Sequence, residues 1–369
     1  MPIYMDRHDV SESVTAETIA HLHQQDIKVQ DRFGCRGLTY WYDDKRKTAF
    51  CLIEAPHIEA IRAMHDFAHG DVPHYLIEVD PGIVESFLGR IEDPKKAQNT
   101  DLNIIKDPAF RAIMVINIKL LALTKADLER FRSGVRELGV LVPDVLRQFN
   151  GNLVRQANGH FLISFQSVSN AVHAALELQK VFPGAKGGGR KDGVLFKIGL
   201  STGVPVTEKN LIFEEAIRLA ERMGMFGRDE IVVSAEVREL YDSENPAGLA
   251  KKKGVCCLTA ADERFITRLM DHAEKTWTDV NLKVDDLNKE VGYSKPKLYR
   301  TLILLTGKSP VSFIKEYRLN EALCLLNKDA GNVSQIAYET GFSSPSYFAK
   351  CFQKRYGQSP TEYLAVKTE

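Results

Sequence analysis

A helix-turn-helix pattern occurs twice within the last hundred or so residues, around Leu287 to Pro310 and again around Ile336 to Pro360. At an offset of 49, Gly292-Tyr293-Ser294 with Pro296 falls on Gly341-Phe342-Ser343 with Pro345. A slip of one residue then brings Arg300 onto Lys350 and Gly307-x-Ser309-Pro310 onto Gly357-x-Ser359-Pro360. Self-similarity on this scale means one supersecondary unit used twice. Each copy predicts a short helix (Val284 to Val291; Val333 to Thr340), a tight turn at Gly292 or Gly341, an N-capping serine (Ser294 or Ser343) and a longer second helix. Glycine suits the turn because the chain there needs a residue that tolerates φ > 0.

Between the copies, Pro310 to Leu326 reads as one amphipathic helix. Val311, Ile314, Leu319, Ala322, Leu325 and Leu326 form its apolar stripe, and Phe313 and Tyr317 an aromatic flank. Its roughly 17 residues span about 25 Å, which suits two recognition helices set near the ~34 Å between successive major grooves. A single such pattern describes an ordinary helical hairpin. Two in this arrangement describe a reader of double-stranded DNA.

Charge placement agrees, although the chain is formally neutral with 49 Lys and Arg against 49 Asp and Glu. Ser294 to Lys308 carries Lys295, Lys297, Arg300 and Lys308 with no acid, and Phe342 to Gln358 carries Lys350, Lys354 and Arg355 with no acid. Acids sit instead on the supporting helices, as at Asp285, Asp286 and Glu290. Base readout is expected from the first turns of the recognition helices: Ser294, Lys295, Lys297 and Arg300, then Ser343, Ser344, Ser346 and Lys350. Lys354 and Arg355 are expected to hold phosphates, and Phe348 and Phe352 to lie in the core.

The run Gly341-Phe342-Ser343-Ser344-Pro345-Ser346-Tyr347-Phe348-Ala349-Lys350-Cys351-Phe352 through Gly357-Gln358-Ser359-Pro360-Thr361-Glu362-Tyr363 resembles the signature of the AraC/XylS family of bacterial transcription regulators. The first copy and Arg318-Leu319 with Ala322 fit as well. The resemblance covers about Asp262 to Lys367 and implies an all-helical double helix-turn-helix domain that binds DNA.

With 369 residues, of which 44% are hydrophobic, the chain has room for two or three domains, each with a core. Polar stretches at Glu92 to Asp107 and Ser243 to Glu263 read as linkers. They divide the chain into residues 1–91, 108–243 and 262–369. The six cysteines show no CxxC spacing, and no signal peptide or membrane-spanning apolar run is apparent, so a cytoplasmic, reduced protein is expected.

The first domain reads β-α-β-β-α-β: strand 2 to 9, helix Thr15 to Phe33, hairpin Gly37 to Tyr42 and Thr48 to Glu54, helix Pro56 to His69, strand His74 to Val79. This is the ferredoxin-like arrangement. Residues 1 to 90 hold 9 Lys and Arg against 15 Asp and Glu, so this part suits a cation rather than DNA. Seven of the ten histidines lie here. The topology gathers His8, His65, His69 and His74 at one rim of the sheet near Asp6. His65 and His69, four apart, share a helix face, as two ligands of one metal must. Imidazole suits nickel, copper and zinc. Tyr4-Met5-Asp6-Arg7-His8, Leu38-Thr39-Tyr40-Trp41, Ala49 through Pro56 and the His65…His69-Gly70 helix end resemble a small bacterial family of ferredoxin-like domains that includes a nickel-binding member. The resulting expectation is a divalent transition metal, Ni²⁺ first, on Asp6, His8, His65 and His69.

The middle domain also alternates strands and helices: strand Arg111 to Ile118, helix Ala126 to Gln148, hairpin Asn152 to Phe165, helix Ser167 to Val181, strand Val194 to Leu200, helix Leu211 to Met225 and strand Glu230 to Ser234. The hairpin, Phe196 through Gly203, Ala220-Glu221-Arg222-Met223 and Glu230 through Ser234 resemble class III nucleotide cyclases. Cyclisation needs two carboxylates that hold two metal ions. The resemblance puts these positions on Asn117 and Gly159, and the transition-state asparagine on Arg218; Arg222 alone keeps the family's residue. A domain without catalysis is expected, retained for dimerisation, for binding a nucleotide-like or other small ligand, or as a spacer. The competing reading is an active cyclase tethered to a DNA-binding module. The whole is expected to be two α+β ferredoxin-like domains followed by an all-α double helix-turn-helix domain. Together they would form a homodimeric regulator and not an enzyme.

Overall fold

Strand β1 (Ile3–Asp9) is central to the first sheet, paired antiparallel with both β3 (Thr48–Glu54) and β4 (Tyr75–Val79). β2 (Arg36–Asp43) closes the sheet on the far side of β3, giving the order β2-β3-β1-β4. The computed structural model describes residues 1–94, 102–120, 123, 125–181, 194–227 and 231–368. β3 is buried at all but its last position because both of its faces are covered. Side chains alternate across a strand, so Tyr40, Tyr42, Ala49, Cys51 and Ile53 pack against helices α1 (Ala16–Val29) and α2 (Ile58–Ala68). Trp41, Phe50 and Leu52 point the other way, into a core shared with the rest of the molecule.

That second face meets a helix absent from the sequence-based expectation, α3 (Pro81–Leu88), capped by Asp80 and stopped by Gly89 at φ +82°. α3 lies against the hairpin of the second sheet, β6 (Gly151–Ala157) and β7 (His160–Phe165). Its Phe87 carbonyl accepts hydrogen bonds from Ser164 Oγ at 2.9 Å and Arg111 Nε at 3.1 Å. The second sheet runs β10-β9-β8-β5-β7-β6, with β5 (Arg111–Leu120) at its centre, β8 (Val194–Gly203) beside it, and β9 (Ile231–Val233) and β10 (Val255–Cys257) added in parallel. The hairpin turns through Asn158 and Gly159, both at positive φ, the form that suits a two-residue connection. Helices α4 (Lys125–Phe149) and α5 (Val168–Val181) cover one face through Met114, Ile116, Phe161 and Ile163. Ile113, Val115 and Leu162 face α3 and α6 (Glu214–Met223).

The stretch Ser243 to Glu263 is not a plain linker. It contains the end of α7 (Ala235–Glu244), the edge strand β10 and the start of α8 (Ala260–Thr276). Of the other expected linker, residues 95–101 lie outside the described residues; Ile105 beyond them is buried in the core of the first sheet.

The C-terminal part is all helix: α8, α9 (Val284–Val291), α10 (Lys295–Thr306), α11 (Pro310–Asn327), α12 (Val333–Glu339), α13 (Pro345–Tyr356) and α14 (Pro360–Thr368). On α11, Phe313 is buried and belongs to the core rather than a flank, whereas Val311 is exposed. The N-cap of α13 is Ser344, whose side chain accepts from Tyr347 N, and not Ser343. α10 begins directly after Ser294, so the second turn is one residue longer. This explains the slip from 49 to 50 in the repeat.

Candidate metal centre and nucleic-acid interface

β1, α1 and α2 converge at one end of the first sheet and bury a network of acids and histidines. Asp6 and His8 come from β1, Asp26 from α1, His65 from the last turn of α2, and His69 from its C-cap. His65 has carboxylates on both ring nitrogens: Nε2 lies 3.0 Å from Asp6 Oδ2 and Nδ1 3.3 Å from Asp26 Oδ1. His69 Nε2 lies 3.2 Å from the same Asp26 oxygen. His8 sits 3.6 Å from Asp6 through Nε2 and 3.6 Å from Asp71 through Nδ1. Cys51, on the neighbouring β3, donates its backbone N–H to Asp6 Oδ1 at 2.7 Å.

Two sets of three ligand atoms, each within 4.8 Å of one another, emerge from this network: Asp6, His8 and Cys51, and Asp26, His65 and His69. The four residues singled out from sequence are thus adjacent but divided between the two sets. Asp26 and Cys51 were not anticipated. His74 stays outside, exposed, with Nδ1 accepting from Asp9 N.

Burial opposes charge on Asp6, His8 and His65, yet mutual attraction prevails there. The Asp6 carboxyl is held far below the usual carboxylate range by His8 and His65 despite its burial. Burial likewise works against protonating His8 and His65, but Asp6 and Asp71 push His8 up to about 10, and Asp26 and Asp6 push His65 up to about 9. The Cys51 thiol is raised well above its ordinary value by burial and by Asp6. Metal-free, the cluster is a buried ion network.

His8 Nδ1 and Asp26 Oδ1 are buried without a well-aligned hydrogen bond, although Asp71 lies 3.6 Å from the first and His65 and His69 lie 3.3 and 3.2 Å from the second. Imidazole and carboxylate groups gathered in threes fit the ligand set of a divalent transition ion.

The two recognition helices present their outward faces by the same logic. Residues turn by about 100° along a helix. With Leu298, Leu302 and Leu305 buried on α10, its exposed face carries Pro296, Arg300, Ile303 and Leu304. With Phe348, Phe352 and Tyr356 buried on α13, its face carries Ser346, Lys350, Gln353 and Lys354. The buried phenylalanines lie in the core, as the sequence indicates. Lys295 is drawn to Asp285 at 3.1 Å, and Lys297 lies 3.7 Å from the centre of the Tyr293 ring, so neither is as available as Arg300. Ser294 and Ser343 are exposed beside these faces, and Ser344 is taken up in capping. Arg355 approaches Glu316 at 3.6 Å and packs on Tyr356 rather than pointing outward.

In the middle sheet, Asn117 lies opposite His160, and the Ile118 N–H donates to the Gly159 carbonyl. His160 Nε2 is 3.4 Å from Glu221, and Arg218 pairs with Glu214 at 3.2 Å. Arg222 is only 4% exposed and turned away toward α8, where it meets Asp271 at 2.5 Å and Glu274 at 2.8 Å.

Residues 4–79 match the family described as nickel responsive protein SCO4226-like, and residues 287–365 match a helix-turn-helix domain family. Histidine kinase P4 of Formosa agariphila is 34% identical over 106 residues, 29% of this chain and 8% of that protein. HTH-type transcriptional regulator MtrA of Neisseria gonorrhoeae is 30% identical over 27% of this chain and 31% of its own length. The chain thus spans under a third of these curated relatives. Among solved structures, SCO4226 of Streptomyces coelicolor A3(2) is 28% identical over 21% of this chain and 94% of its own, with a TM-score of 0.20. A transcriptional regulator of Chromobacterium violaceum with an AraC-type DNA-binding domain is 27% identical over 30% of this chain and 97% of its own, with a TM-score of 0.28. The chain therefore joins an N-terminal domain of the SCO4226-like, nickel-responsive family to a C-terminal AraC-type helix-turn-helix domain.

Proposed function

We propose that this protein is a sequence-specific DNA-binding transcription regulator whose N-terminal domain senses a divalent transition metal, with Ni²⁺ as first choice. The observation that carries the sensing role is the buried Asp6–His8–Asp26–His65–His69 network, whose side chains, with Cys51, fall into two sets of three possible ligands. His8, His65 and His69, together with Asp6 or Asp26, would hold the ion. The bound ion would supply positive charge in place of the protons on His8 and His65.

A continuous apolar core supports transmission to the DNA-binding helices. It runs from Met5 and Phe50 through Phe87, Phe213 and Phe226 to Phe265, Leu298 and Phe313. Metal changes DNA binding only if it favours one arrangement of these parts over another. The strand orders of both sheets are consistent with the ferredoxin-like reading. We further infer that the middle domain has lost catalysis, because Arg222 is consumed by α8 and the carboxylate positions hold Asn117 and Gly159; incubation with ATP or GTP and Mg²⁺ or Mn²⁺ should yield no cyclic nucleotide. A cytoplasmic location agrees with this reading; among the described residues no helix is long and apolar enough to cross a membrane.

Calorimetry on the full chain tests the metal role. Ni²⁺ should bind, and His65→Ala/His69→Ala should weaken it by at least about tenfold. Unchanged binding in that variant would refute the site.

A further inference from the structure

The two recognition helices are alike in backbone but unlike in the chemistry of their outward faces. At the positions where α13 presents Lys350, Gln353 and Lys354, α10 presents Arg300, Ile303 and Leu304. Leu304 is 72% exposed, more than any other large hydrophobic among the described residues, and Ile303 beside it is 44% exposed. The core-facing stripe of α10 is complete without them, since Leu298, Leu302 and Leu305 already fill it. An isolated exposed leucine needs no explanation. Two adjacent aliphatic side chains on the outward face of a recognition helix, one turn below an arginine, do.

Their surroundings identify the occupant. From Ser294 to Lys308 the segment holds four cations and no acid. Lys295 and Lys308 are paired with Asp285 and Glu316 and Lys297 lies over Tyr293, which leaves Arg300 as the outward cation that suits the aliphatic pair's surface to a polyanion. In the major groove of double-stranded DNA, thymine alone offers an apolar group, its C5 methyl, and arginine pairs with guanine O6 and N7. Building on the DNA-binding reading above, we propose that the first helix-turn-helix unit reads thymine methyl groups through Leu304, assisted by Ile303, next to a guanine held by Arg300. The second unit, with Lys350, Gln353 and Lys354, reads only polar base edges and phosphates. The operator is consequently asymmetric in chemistry as well as in sequence: one half-site depends on methyl groups and the other does not.

Replacing thymine by deoxyuridine removes the methyl and leaves the base pair intact. A duplex selected from a random library by the full-length protein provides the probe, and fluorescence anisotropy the readout. Deoxyuridine in the half-site protected by α10 should weaken wild-type binding about three- to tenfold, whereas the same change in the α13 half-site should leave it within about twofold. Leu304→Ala should bind the thymine duplex about as weakly as wild type binds the deoxyuridine duplex, and should lose its sensitivity to the substitution. Because Leu304 is exposed, circular dichroism of the variant should match wild type, which separates lost readout from lost folding. The proposal is overturned if deoxyuridine has no effect at the α10 half-site, if Leu304→Ala retains the full penalty, or if the selected half-site contains no thymine. It is also overturned if Leu304→Ala alters self-association with no change in methyl dependence, which would assign the patch to a second copy of the chain. Failure of the full-length protein to select any duplex would instead refute the DNA-binding reading itself.

Discussion

His65 is fully buried with both ring nitrogens facing carboxylates. Its folded pKa of about 9, and that of His8 at about 10, stand above the ordinary value of 6.5. Their contribution to metal-free stability is therefore complete below about pH 6.5 and is lost as pH rises through 9 to 10. Asp6, held far below its ordinary range, contributes above about pH 4 and loses that contribution only in strong acid. In EDTA, the urea midpoint followed by Trp41 fluorescence in a Trp277→Phe background should fall between pH 7 and 10. The fall should be smaller in His8→Gln/His65→Gln, and a flat wild-type midpoint would contradict the network. Metal must displace these protons, so Ni²⁺ affinity should rise over the same interval. The pairing of His65 with His69 was legible in the sequence because helix periodicity fixes it. Asp26 was not, because it arrives from α1 across a helix-helix contact, and Cys51 was not, because only the β1–β3 register brings it beside Asp6. Lys295 and Lys297 illustrate the same limit: Asp285 and Tyr293, contributed by the preceding helix and turn, draw them from the DNA-facing surface.

At the level of elements, the repeated turn is where sequence reading is strongest and where its residual error is informative. The span of α9 was predicted to the residue and that of α11 to within one: the turn glycine Gly292 ends α9, and Ser309-Pro310 marks the start of α11. Both turn glycines adopt positive φ, but their surroundings differ. A Cβ at Gly292 would meet nothing within 4 Å, whereas one at Gly341 would lie 2.7 Å from the Trp277 carbonyl oxygen. Gly292→Ala should cost roughly 1–2 kcal/mol for the left-handed conformation alone, and Gly341→Ala distinctly more. Hydrogen exchange of the α12 and α13 amides measures the difference, and equal loss in both variants would contradict the close contact. Of the elements missed, α3 and β10 were missed for opposite reasons. α3 has only eight residues, too few for a helical stripe, although Asp80-Pro81 and Gly89 mark its ends. β10 has three residues in a lysine-rich stretch and becomes a strand only because β9 offers it an edge.

Over the whole molecule, the three parts meet through a few specific contacts. α3 is fastened to the middle sheet by Ser164 and Arg111, and the middle domain reaches the first helix-turn-helix unit through Gly227 N to Leu305 O at 2.6 Å and the Phe226–Phe313 ring pair. Arg222 adds the charged clamp to α8. None of these junctions follows from local sequence pattern, because each joins elements far apart in the chain. Arg222→Met should leave both Ni²⁺ binding and metal-free DNA binding within about threefold of wild type while reducing the effect of one on the other, since the half-exposed Asp271 and Glu274 can return to water. Anisotropy titrations with and without metal would detect that separation, and an undiminished metal effect would remove Arg222 from the route. The most direct measurement is the affinity of the wild-type full chain for a duplex it has itself selected, in EDTA and then with saturating Ni²⁺. Metal sensing predicts a change of at least about fivefold that disappears in His65→Ala/His69→Ala. Equal affinity in the two conditions, with Ni²⁺ shown by calorimetry to be bound, would contradict it.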